Sequence, residues 1–192
     1  MDDDACDGII ITHGTDTAEE TAFLLDLTLP TTKPVVLVGA MRPADAVGSD
    51  GLRNFANAVR VAADPDAPGR GVLLVMGDQV LAARDARKAH TTGSNAFKGF
   101  PRGAVAFATP SSLDWLQPQW RLGEAARWRF PDEFPEVPIL HCYAGQDRDS
   151  VTRLVEAGAQ GIVLAGLGDG NAPDSVREAL AEAAAQGVLV VR

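Results

Sequence analysis

Gly8-Ile9-Ile10-Ile11-Thr12-His13-Gly14-Thr15-Asp16-Thr17-Ala18-Glu19-Glu20 passes from a strand pattern to a helix pattern through one polar turn. Three consecutive isoleucines are β-branched and apolar, which suits a buried strand. Ala22, Phe23 and Leu27 then recur at helical spacing, which predicts a helix over residues 18–27. Thr17 stands three residues before Glu20, the pattern of a capping box, so Thr17 is expected to cap that helix. The alternation repeats outward. Residues 35–38, 72–76, 105–107, 139–140 and 162–165 are short β-branched runs that read as buried strands. Residues 52–63 place Phe55, Ala58, Val59 and Ala62 on one helical face, and residues 151–157 and 175–186 repeat the helical pattern. This order predicts an α/β fold: a mostly parallel sheet flanked by helices, then a smaller β-α-β-α-β second domain that stops short.

The middle of the chain breaks the pattern. Residues 78–136 are rich in Pro, Gly, Arg and Trp and show little helical periodicity. Residues 84–103 read as an extended loop or hairpin. Pro118, Pro131 and Pro135 punctuate residues 111–136, which read as a linker. The expected organisation is a first domain over 1–110, a linker over 111–136 and a second domain over 137–192. Trp115, Trp120 and Trp128 are expected to pack along the linker.

Composition excludes several classes. The 26 acidic against 17 basic side chains give a net charge of −9, which repels a phosphate backbone and argues against nucleic-acid binding. No apolar run approaches the roughly 20 residues of a membrane span. Cys6 and Cys142 alone make neither a disulfide framework nor a four-ligand zinc site. The first residues, Met1-Asp2-Asp3-Asp4-Ala5-Cys6-Asp7, lack the basic start and apolar stretch of a signal peptide. As written the chain reads as cytoplasmic, with the periplasm open if the native gene starts upstream. A strand candidate so near the start, and another at residues 188–191, give the expectation of a fragment.

Three polar constellations sit where an open α/β sheet binds ligands, at the carboxyl ends of strands. The first crowds Thr12, His13, Thr15 and Asp16 into one turn, with Gly14 allowing close backbone approach. A hydroxyl beside a carboxylate at a helix N-terminus suits a charged small molecule. Thr15 becomes a nucleophile only with a base to take its proton, and His13 is the neighbouring candidate. The second is Arg84-Asp85-Ala86-Arg87-Lys88-Ala89-His90-Thr91-Thr92. It reads either as a solvated charged loop or as a site in which Lys88 is a base, with Arg87 as the cationic neighbour. The third is Val38-Gly39-Ala40-Met41-Arg42-Pro43 followed by Ser49-Asp50-Gly51, a strand exit that serves as a plain turn or offers backbone groups to a substrate amide.

In combination these motifs resemble the bacterial-type L-asparaginase family, which includes the glutaminase-asparaginases. The resemblance runs in order through residues 7–22, through Val38-Gly39-Ala40-Met41-Arg42-Pro43, and through Ser49-Asp50-Gly51 with Asn54, Asn57 and Ala58. It continues through residues 71–76, Ala83-Arg84-Asp85, Lys88 and Thr91-Thr92 to Gly166-Leu167-Gly168-Asp169-Gly170-Asn171 with Pro173. It implies hydrolysis of the side-chain amide of L-asparagine, with L-glutamine as a second candidate substrate, through a hydroxyl nucleophile and an oxyanion intermediate. Thr15, Asp16 and Lys88 would be catalytic. Asp16 would also hold the substrate's α-amino group, and the Ala40 carbonyl would contact its side-chain amide. No metal and no organic cofactor is implied, and a homo-oligomer, usually a tetramer, is the expected assembly.

The sequence departs from that family at both ends. Family chains open with a strand and loop of Thr-Gly-Gly-Thr-Ile type, carrying a second active-site threonine and a nearby tyrosine on a lid, and nothing here matches it. The remaining second-domain helices would follow Arg192. The expectation is therefore an incomplete enzyme whose open, apolar sheet edge makes the chain fold poorly or self-associate. Two alternatives stand beside the amidohydrolase: the amidase subunit of a tRNA-dependent glutamyl amidotransferase, and a non-catalytic amino-acid-binding module. A nucleotide-binding module is weaker, since the loop after Ile11 lacks both Gly-x-Gly-x-x-Gly and Walker-type spacing.

Overall fold

Short apolar runs punctuated by glycine and proline fold into eleven strands and four helices among the described residues, which are 5–119 and 128–192 of a computed structural model. Trp120 lies outside the described residues. The chain divides into two units, Met1–Phe130 and Pro131–Arg192.

The first unit contains β1 (Ile9–Thr12), α1 (Ala18–Thr28), β2 (Val35–Val38), α2 (Gly51–Ala62), β3 (Val72–Met76), β4 (Gln79–Ala82), β5 (Ala86–Lys88), β6 (Phe97–Gly99), β7 (Ala106–Ala108) and β8 (Leu113–Trp115). Its main sheet runs β1-β2-β3-β4-β7-β8, with β1 at one edge. The neighbours β1, β2 and β3 pair parallel, and β3, β4, β7 and β8 pair antiparallel. The parallel half is the alternating half of the sequence. The antiparallel half begins at Gly77 and Asp78, both at positive φ (55° and 65°), the pair of conformations a tight two-residue hairpin needs. β8 falls within the stretch expected as linker, and Trp115 there packs against the core of the sheet. Trp128 is instead exposed.

Period-2 alternation splits the sheet's side chains between two cores. Val35, Leu37, Val72, Leu74 and Met76 meet Ala18 and Ala22 of α1 on one face. Val36, Val38, Leu73 and Val75 meet Ala58 and Val61 of α2 on the other. A strand buried on both faces reads as a continuous apolar run, which is why β2 and β3 stand out in the sequence. The helical faces differ from expectation. On α1 the buried residues are Ala18, Ala22, Asp26 and Thr28, and Phe23 stays half exposed. Asp26 earns its burial by accepting the Val72 backbone N–H at 2.9 Å. On α2 the buried residues are Asn54, Asn57, Ala58 and Val61, and Phe55 and Val59 face outward. The inward turn of two asparagines is explained by their hydrogen bonds, described below.

The second unit is a parallel three-stranded sheet, β11-β10-β9, with two helices. Its elements are β9 (Ile139–His141), α3 (Asp149–Glu156), β10 (Gly161–Ala165), α4 (Asp174–Ala185) and β11 (Leu189–Val191). Leu140, Ile162, Leu164, Val151, Val176 and Leu180 build its core. No helix among the described residues is long and apolar enough to cross a membrane.

Candidate active site

The turn between β1 and α1 projects Thr15 and Asp16 beyond the carboxyl ends of the parallel strands. Thr17 occupies the N-cap position of α1, yet its hydroxyl makes no capping bond, against the capping-box expectation. Its ψ of 11° lies outside the extended region from which an N-cap side chain reaches back to the helix N–H groups.

Lys88 arrives from far along the chain. It closes β5, one arm of the antiparallel β5–β6 hairpin, where it pairs with Phe97. Phe97 is buried in the α1-side core together with Ala86 and Ala96. Asp85, 1% exposed, holds the base of the hairpin by accepting two bonds from the Arg102 guanidinium at 2.7 and 2.6 Å. The Lys88 backbone N–H donates to the Glu19 carboxylate in the first turn of α1. Core packing and these polar clamps place Lys88 Nζ 2.9 Å from Thr15 Oγ1 and 2.5 Å from Asp16 Oδ1. The structure thus brings Lys88 to two adjacent residues that lie more than 70 positions earlier in the sequence.

The ammonium of Lys88 bonds Asp16 directly and holds its carboxyl below the usual carboxylate range, first by that hydrogen bond and then by its charge. The Asp16 side chain is 93% exposed, so Oδ2 remains open to solvent while Oδ1 faces the lysine. Arg87 does not face Lys88 Nζ through any bond; its guanidinium donates to the Ala86 carbonyl at 2.6 Å.

His13 does not reach Thr15. Its Nδ1 lies 2.7 Å from the Gly14 carbonyl, which can only accept, so the proton on Nδ1 is committed there. Nε2 faces the Thr21 hydroxyl at 3.0 Å. Both ring nitrogens are occupied, one within the turn and one by α1, which leaves Lys88 as the group beside the Thr15 hydroxyl.

The exit of β2 lies against the same turn. A Cβ at Gly39 would stand 2.7 Å from the His13 carbonyl oxygen and 3.2 Å from Thr15 Cγ2, so only glycine fits. Ala40 follows, exposed, at the rim of a concavity of about 390 Å³. Thr12, His13, Gly14, Val38, Gly39 and Phe55 share that lining, whereas Thr15, Asp16 and Lys88 do not. Ala40 therefore neighbours the Lys88 cluster through Gly39 rather than joining its hydrogen bonds.

Sequence reading assigned no role to Glu19, Thr21, Asp50, Asn54, Asp85 or Arg102, although each fixes part of this region. Asp50, Asn54 and Asp85 stand within the quoted motifs without a role of their own, and Glu19 carried the signal of an acidic residue in the first turn of a helix, where it is usually read as a partner for the helix dipole.

Comparison with known proteins covers the chain from end to end. The family description "Asparaginase, N-terminal" matches residues 1–121, and "Glutaminase/Asparaginase C-terminal domain" matches residues 136–192. The chain is 44% identical over 195 residues to L-asparaginase 2 of Escherichia coli, covering 100% of this chain and 56% of that protein. It is 43% identical over 189 residues to a probable periplasmic L-asparaginase of Haemophilus influenzae, covering 97% and 54%. It is 40% identical over 194 residues to a glutaminase-asparaginase of Pseudomonas fluorescens, covering 97% and 52%. The chain spans about half the length of the curated relatives it matches. With both halves matched in order by the family's N-terminal and C-terminal descriptions, and with relatives 40% or more identical over nearly the whole chain, the protein belongs to the asparaginase family.

Proposed function

We propose that the protein hydrolyses the side-chain amide of L-asparagine to L-aspartate and ammonia, with L-glutamine as a second substrate. The observation that carries this reading is Lys88 Nζ bonded at once to the Thr15 hydroxyl and the Asp16 carboxylate. Lys88 acts as the base or relay in its neutral form, when the amine has a lone pair to take the proton of an attacking hydroxyl, from Thr15 or from water. Asp16 holds Lys88 through Oδ1 and offers its open oxygen to the substrate's α-ammonium. The Ala40 carbonyl accepts a hydrogen bond from the substrate amide. Attack on the amide carbon gives a tetrahedral oxyanion; Lys88 passes the proton on to the nitrogen and the C–N bond breaks with loss of ammonia, giving L-aspartate directly when water attacks, or an ester on Thr15 that a water then hydrolyses to L-aspartate and the free hydroxyl. The reaction needs no metal and no organic cofactor.

The names of the relatives, asparaginases and glutaminase-asparaginases, support both substrates. We extend the proposal to a first domain over 1–110, a linker over 111–136 whose opening segment, β8, is laid along the first domain's sheet, and a second domain over 137–192, and to a homo-oligomer, which sedimentation across a concentration series tests.

Ammonia release from L-asparagine and from L-glutamine, measured separately, tests the activity. The expected result is release that Thr15→Val and Lys88→Met each abolish. Binding of L-asparagine without ammonia release would replace the hydrolase by a binding module, and release that survives both substitutions would refute the assigned residues.

A further inference from the structure

We propose that Asp50 is a positioning residue that sets the direction of the Ala40 carbonyl; the inference deepens the proposed amidohydrolase and rests on it. Asp50 is the N-cap residue of α2, where an aspartate ordinarily caps its own helix. It makes no capping bond. Its carboxylate, on a residue 7% exposed, turns to the β2 exit and accepts the Met41 N–H at 3.1 Å on both oxygens and the Arg42 N–H at 3.0 Å on Oδ1. One turn along α2, Asn54 is fully buried. Its amide donates to the Gly39 carbonyl and to Asp50 Oδ2, both at 3.0 Å, and accepts the Gly77 N–H at 3.2 Å.

The consequence follows from peptide geometry. The Ala40 carbonyl and the Met41 N–H belong to one planar trans peptide, so they point in opposite directions. The cis peptide recorded in the described chain lies elsewhere, at Phe100-Pro101. Anchoring the Met41 N–H on Asp50 aims the Ala40 carbonyl away from α2. Asn54, by holding the Gly39 carbonyl, fixes the preceding peptide. The backbone on both sides of Ala40 is thus tied to one helix, through side chains that are buried and fully occupied. An aspartate that gives up its own helix cap for this purpose orients a functional group rather than stabilising a helix end.

The test is a ratio of substrates. L-Asparagine presents amide N–H groups to the Ala40 carbonyl, whereas the β-methyl ester of L-aspartate is the same acid with no N–H there. Asp50→Asn keeps the side-chain volume but, because the Met41 N–H bonds both carboxylate oxygens, sets an NH₂ group against Met41 whichever oxygen it replaces and removes the charge that both backbone N–H groups face. Its amide-to-ester ratio of kcat/KM is expected to fall about tenfold, the scale of one hydrogen bond lost to the substrate. The Met41 and Arg42 amide-proton resonances are expected to move upfield together. If Asp50→Asn does not fold, Asp50→Ser carries the same expectations. Equal loss on both substrates, or an unmoved Met41 resonance, overturns the positioning role. A parent protein that hydrolyses neither substrate overturns the amidohydrolase reading and this inference with it. A parent that hydrolyses both, with an unchanged ratio in the variant, overturns this inference alone.

Discussion

Gly39→Ala probes the contact between the β2 exit and the Thr15 turn. The added methyl would sit 2.7 Å from the His13 carbonyl oxygen, and ordinary van der Waals contact begins at 3.4 Å. The two backbones must therefore part by about 0.7 Å. The same methyl meets Thr15 Cγ2 at 3.2 Å, so the displacement is passed to the residue whose hydroxyl faces Lys88. The His13 N–H bond to the Val38 carbonyl, 2.9 Å long, resists that movement. Overpacking of this kind costs about 1–3 kcal/mol, a fall of several degrees in Tm for a protein of this size. A misplacement approaching 1 Å costs about 100-fold in rate. The assay pairs thermal unfolding with kcat/KM for L-asparagine. Adding Thr15→Ser, which removes the clashing methyl and keeps the hydroxyl, should recover part of both losses. Parental Tm and parental kcat/KM in Gly39→Ala would refute the close approach and the argument built on it.

Three further predictions rest on separate contacts. In a carbon-detected NMR titration Asp16 should titrate below the ordinary carboxylate range and return toward it in Lys88→Met. Because the folded value is depressed, the ion pair favours the folded state above the ordinary range and stops doing so as pH falls through Asp16's own titration. His13→Ala should lower kcat/KM for L-asparagine by less than tenfold, since both ring nitrogens are engaged away from Thr15; a loss of the roughly 100-fold or more typical of a general base would restore His13 as that base. Asp85→Asn should lower stability by about 2 kcal/mol in a urea titration, because an NH₂ group replaces one of the two oxygens that accept from Arg102, so one bond at the foot of the lysine hairpin is lost and the other loses its carboxylate charge; an unchanged midpoint would show that the hairpin does not depend on them.

The legible parts of this molecule are those where apolar periodicity and burial coincide. Runs such as Val35-Val36-Leu37-Val38 are buried on both faces and announce themselves as strands. The helices fall within a residue or two of the expected bounds, but their inward faces were harder to read. On α2 the reading favoured Phe55 and Val59, whereas the fold buries Asn54 and Asn57, whose amides satisfy backbone groups at the β2 and β3 exits and the Asp78 side chain. Hydrophobicity does not foresee a buried amide whose partners lie on other elements. β4 and β8 were missed because they are short and depend on strand neighbours brought together by tight turns. In the site, Thr15 and Asp16 were visible as a polar turn after a strand. Lys88 reads alone as part of a charged loop, and its meeting with Thr15 depends on Phe97, Glu19 and Asp85 acting through the fold.

On the proposed mechanism Thr15 and Lys88 work as one unit, joined by the 2.9 Å bond between the hydroxyl and the lysine nitrogen. A double-mutant cycle on ammonia release from L-asparagine tests it most directly, with Thr15→Val, Lys88→Met and the double variant measured beside the parent. Residues that act as a unit lose nearly everything when either is removed, so the double variant should be no slower than the slower single variant. Losses that multiply across the two substitutions would show that Thr15 and Lys88 serve the reaction independently, and would contradict the account.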